Sequence, residues 1–174
     1  LHQLALNSGY VEKALRYLHA LQLMVLIIRP AALAAAARFT REELDELTDR
    51  FTSPGSVYLA DIQEAVLKHT TLEPLYVILS ETNHLLEWGH HFAYYPSKRH
   101  TLSHLNKKAI TALRQLYEGN ASSFADGMAD CYRYILICMK KNMVEKYKFH
   151  NVANIRVPEK YQTAGNGFFR TADS

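Results

Sequence analysis

Glycine and proline are scarce, seven and five among 174 residues, which is too little punctuation for a many-stranded or loop-rich fold. Two cysteines occur, Cys131 and Cys138. Seven residues apart on a helix, they stand roughly 10 Å apart, too far for a disulfide. A disulfide-stapled secreted domain is therefore excluded, and free thiols fit a reducing cytoplasm. Long uninterrupted hydrophobic runs are also lacking. The one membrane suspect, Leu18 to Ala37, carries Arg29-Pro30 at its midpoint, and a charge beside a helix breaker argues against a spanning helix. Catalytic signatures are missing too: the chain has no GxSxG, no P-loop, no GxGxxG and no HExxH, so no enzyme class declares itself.

What is present is enough apolar residue, 48%, for one ordinary core, and 174 residues fit one domain. Apolar spacing predicts a single mainly α domain of five to six helices over 1–150 and an extended tail over 151–174, where Pro158 and Gly165-Asn166-Gly167 fall. Helical pieces, the short Ala-rich 31–38 among them, are expected over 9–20, 31–38, 40–51, 57–69, 73–92, 101–118 and 123–147. Thr40 and Glu43 make a capping box for the third, Pro74 opens the fifth, Gly119-Asn120 closes the sixth, and Ser123 caps the last. The stretch 22–29, rich in β-branched Val25, Ile27 and Ile28 and closed by Pro30, is open between a continued helix and a strand, with the balance toward a short buried strand. Leu23, Val25 and Ile27 would then pair with a second copy.

Charge is unevenly spread. Residues 39–97 hold three Lys/Arg against ten Asp/Glu, a net of −7, and residues 98–160 hold twelve against five, a net of +7. A basic surface beside an acidic body is the footprint of a polyanion binder. On the 101–118 helix, Leu102, Leu105, Ala109, Leu113 and Leu116 define an inward stripe. His104, Lys107, Lys108, Thr111 and Arg114 then face solvent, with Lys98 and Arg99 just before them. Such a row meets phosphates, and Asn106 or Gln115 meets base edges. Lys140 and Lys141, followed by Lys146 and Lys148, form a second row.

Competing chemistry is thinner. His84 with Glu87, and His100 with His104, have metal-ligand spacings, but no set is completed, and neither metal nor cofactor is expected. Arg99-x4-His104 matches the short Arg…His pattern of the all-helical HEPN ribonucleases, where His would act as general acid or base. A third reading has the −7 and +7 segments pair as a protein interaction module.

Three pieces of the chain, Gln22–Ile28, the run from Leu75 through His90-His91 to Tyr117, and Val157-Pro158-Glu159-Lys160 with Phe168-Phe169-Arg170, resemble the AcaB-like transcriptional activators of bacterial conjugative plasmids and integrative elements. The resemblance implies a non-catalytic regulator that binds promoter DNA as a homodimer, with a ribbon-helix-helix-like element built on the 22–29 strand. That strand is apolar on both faces, so the basic helix would supply much of the DNA contact.

Overall fold

In a computed structural model, the structure describes residues 8–51, 58–87 and 98–160. Six α-helices follow one another: α1 (Ser8–Ala36), α2 (Arg41–Arg50), α3 (Tyr58–Lys68), α4 (Glu73–Glu87), α5 (Lys98–Tyr117) and α6 (Ala121–Glu145). A 3₁₀ turn (His150–Asn154) comes after them. No strand occurs among the described residues.

The sharpest departure from expectation is α1. Residues 22–29 are helical, not a strand, and the separate helices expected on either side are one continuous rod with Pro30 inside it. At 29 residues the rod is about 44 Å long. Leu18, Leu21, Met24, Val25, Ile28, Ala31, Ala32 and Ala35 are buried, a repeat of three and four residues that only a helix produces. Leu23 and Leu26 lie outside that stripe, 40% and 62% exposed, which hides the periodicity from the sequence. Pro30 is exposed, so the carbonyl one turn earlier, on exposed Leu26, can turn to water. A mid-helix proline costs about 3 kcal/mol, which packing along the whole rod offsets. Arg29 is held by Asp126 of α6, Nε to Oδ1, at 2.7 Å. By length and composition α1 could cross a membrane, yet half of its apolar window is buried inside this bundle. Here it is the central core helix.

The α1 rod packs mainly against α6 and α4, and α5 lies antiparallel to α6. The turn between α5 and α6 is a Schellman motif. Gly119 adopts φ 87°, its N–H donates to Leu116 O and the Asn120 N–H to Gln115 O. Helix α6 accordingly starts at Ala121, and Ser123, expected as its cap, lies exposed within its first turn. Close approach of the pair requires Gly127, where a Cβ would stand 2.8 Å from Ala112 Cβ. Met128, Tyr132, Ile135, Met139 and Met143 all point inward as the spacing predicts.

Thr40 and Glu43 form the expected capping box. Glu43 also receives His69 at 2.9 Å and Lys68 at 3.3 Å, tying the end of α3 to the start of α2. The expected extended tail begins later than 151. Val152 and Ile155 are buried, Arg133 Nε donates to Pro158 O at 2.9 Å and Gln22 Nε2 to Arg156 O at 2.6 Å. Residues 150–160 therefore strap back across α1 and α6. The rest of the tail, and Trp88, His90 and His91 beyond α4, lie outside the described residues.

Candidate nucleic-acid interface

Helix α5 begins at Lys98, three residues before its expected start, so Lys98 and Arg99 belong to its first turn. Along the antiparallel pair, Ala112 meets Gly127, Lys108 meets Asp130 and His104 meets Tyr134. Each step toward the start of α5 matches a step toward the end of α6. This register sets Lys98 and Arg99 level with Lys140 and Lys141. The open end of the hairpin thus brings the start of the first basic row level with the second, with exposed Lys146 and Lys148 just beyond.

Each expected contact can be placed. His104 is exposed and its ring lies 4.8 Å from that of Tyr134. Lys107 is exposed, and no described residue pairs with it. Thr111 is exposed, but its hydroxyl donates back to Lys107 O at 2.9 Å. Lys141 is exposed and Lys140 half-buried.

One expected placement is corrected. Lys108 does not face open solvent: its ammonium sits 2.8 Å from Asp130, which Lys160 also reaches at 3.3 Å. These hydrogen bonds hold the Asp130 carboxyl below its ordinary range against the opposing effect of burial. Arg114 is exposed, as expected, and lines a shallow groove with Asp45 of α2 and Glu118. The proposed base readers are occupied too. Asn106 Oδ1 accepts from the Tyr58 N–H at 3.3 Å, and Gln115 Oε1 accepts from the Asn120 amide at 3.1 Å.

The dimerisation set does not form one face. Val25 is buried in the chain's own core at 7% exposure, Ile27 is half-buried against it, and Leu23 stands exposed. Arg99 and His104 stand five positions apart on α5, the spacing on which the ribonuclease reading rests. Among the described residues, no three His, Cys, Asp or Glu gather as metal ligands. The cysteines are free, as their spacing requires.

The sequence missed Tyr134. Tyr132 and Tyr134 look alike in the sequence, but only Tyr132 is buried. Tyr134 lies half-exposed, with the Lys108 ammonium 5.7 Å from its ring centre and His104 beside it. Spacing by two on a helix puts neighbouring tyrosines about 200° apart, and that was the available signal. Also unforeseen is a cleft of about 560 Å³ between α1, α6 and the strap. Arg29, Arg133 and Lys160 on its walls are matched by Asp126, Asp130 and Glu159.

The ion pairs seen among the described residues divide sharply. Arg50–Asp61, Lys68–Glu43 and His69–Glu43 lie inside the acidic segment. Lys108–Asp130 and Lys160–Asp130 lie inside the basic one, and Arg29–Asp126 joins it to α1. The two segments do meet where Arg41 stacks on Tyr117 at 3.6 Å and the Tyr117 hydroxyl donates to Asp45 at 3.0 Å. No family model, no curated protein and no solved structure matches this chain, and the likeness to the AcaB-like activators rests on the sequence pieces alone.

Proposed function

We propose that this chain is a non-catalytic, cytoplasmic regulator that binds duplex DNA through the open end of the α5–α6 hairpin. The observation that supports it is that Lys107, Lys141, Lys146 and Lys148 stand exposed on the hairpin and just beyond its open end. Lys98, Arg99, Lys107, Lys140 and Lys141 supply the phosphate contacts. Lys108 drops out of the set because Asp130 holds it, and Arg114 because it lies near the closed end of the hairpin. Regulation of mobile-element genes follows the resemblance to the AcaB-like activators. A ribbon-helix-helix dimer is not part of the proposal, since its strand is a helix. Leu23 alone is far too small an interface for a second copy.

The test is a DNA titration at several salt concentrations. Five phosphate contacts give a log–log slope of about −4.5, an affinity loss of about 500-fold between 50 and 200 mM salt. Absence of duplex binding at 50 mM salt overturns the proposal. Cleavage of single-stranded RNA by the wild type, abolished by Arg99→Ala and by His104→Ala, transfers the site to a ribonuclease.

A further inference from the structure

Helix α4 carries an exposed apolar stripe beside the one it buries. Leu75, Leu79, Thr82 and Leu86 turn inward, with Leu79 at 0% and Leu86 at 7% exposure. Core packing explains that stripe. Around from it Val77, Ile78 and Leu85 are 51%, 45% and 44% exposed. At 100° per residue, Val77, Ile78, Glu81 and Leu85 form one outward stripe with Glu81 at its centre. A solvated helix face carries charge on that side. A contiguous apolar patch of several hundred Å² on a small protein marks a contact surface.

Charge decides what covers it. Residues 69–97 contain three glutamates and no Lys or Arg. Glu81, exposed in the middle of the stripe, has no ion-pair partner among the described residues. Two copies packed on this face would each bury Glu81 against a helix that offers no lysine or arginine, and an unpaired carboxylate is costly to bury. A matching occupant brings its own cation to the centre of an apolar contact. We infer that the outer face of α4 docks a basic amphipathic helix of a partner protein, with leucine-like side chains against Val77, Ile78 and Leu85 and a lysine or arginine on Glu81. This is helix-in-groove recognition read from the receiving side. The surface is separate from the basic end of the α5–α6 hairpin, and the inference does not depend on DNA binding.

The probe is a fluorescent 16-residue peptide of leucine and lysine at helical spacing, measured by anisotropy against the full chain. Its twin carries glutamate for lysine. The wild type is expected to bind the lysine peptide and not the glutamate one. Val77→Ser/Leu85→Ser should weaken binding about tenfold or more, a loss of about 1.4 kcal/mol. Glu81→Lys should weaken it similarly and favour the glutamate peptide instead. Glu46→Lys, on the exposed acidic side of α2, is the control for general charge attraction and should change affinity little. All the substituted side chains are exposed, and circular dichroism and thermal melts confirm that each variant folds. Equal losses from Glu46→Lys and Glu81→Lys overturn the inference, as does equal binding of the two peptides. A wild-type dimer in sedimentation that Val77→Ser/Leu85→Ser converts to monomer also overturns it, assigning the face to a second copy.

Discussion

The contact between Gly127 and Ala112 sets how closely α5 and α6 approach, and with it the register that brings Lys98 and Arg99 level with Lys140 and Lys141. Gly127→Ala adds a methyl whose carbon would stand 2.8 Å from Ala112 Cβ and 3.3 Å from Ala112 Cα. Neither atom is the far end of a flexible side chain, so the helices themselves must separate. Overpacking of this kind costs about 1–3 kcal/mol. Alanine's better helix propensity returns about 1 kcal/mol, so the single variant should lose up to about 2 kcal/mol. Ala112→Gly loses about 1 kcal/mol of propensity on α5. In the double variant the methyl has moved from one helix to the other, the clash is gone, and the two propensity changes cancel. Stability should return close to wild type, leaving a coupling energy of about 1–3 kcal/mol in a double-mutant cycle. Urea unfolding of the four proteins, followed by circular dichroism, measures it. Additive losses would show that the two helices do not meet at these residues, and the alignment of the two basic rows would lose its support.

Lys107→Glu/Lys141→Glu should weaken DNA binding and flatten its salt slope by about two while the melting temperature barely moves, because exposed charges contribute little to stability. Lys108→Glu should do the reverse: it takes the 2.8 Å partner from Asp130 and should cost about 1–3 kcal/mol in a thermal melt. The backbone hydrogen bond from Thr40, helped by His69 and Lys68, lowers the Glu43 carboxyl from 4.5 to about 2. Its folded pKa lies below its unfolded one, so its stabilisation is present above pH 4.5 and is lost as pH falls toward 2. Acid titration of Glu43→Gln should lack that component, and an unchanged acid limb would refute the assignment. Burial pushes the Cys131 thiol up to about 12, so a thiol reagent at pH 8 should modify half-buried Cys138 first and reach Cys131 only on unfolding. Mass spectrometry reads the order.

Local chemistry made much of the fold legible. The Thr40–Glu43 capping box, the glycine at the end of α5 and the inward stripes of α5 and α6 are set by neighbours within a few residues, and all three stand where the sequence puts them. The 22–29 segment was not legible for the opposite reason. Its side chains are apolar all round, so periodicity could not tell a strand from a buried helix. The proline that should end it is tolerated because it falls on the exposed side of a rod packed by its other faces.

The candidate site divides the same way. That residues 98–160 carry an excess of positive charge is a property of the sequence alone, as is the absence of any lysine or arginine between residues 69 and 97. Which of those cations face open solvent is a tertiary matter. Lys107 and Lys108 are adjacent in the chain and about 100° apart on the helix, and that angle leaves one exposed and sets the other against Asp130, 22 positions away. Helix type and charge balance come from short-range periodicity and composition. Pairing of ions and the exposed apolar stripe of α4 depend on which helices pack together, which only the folded chain decides.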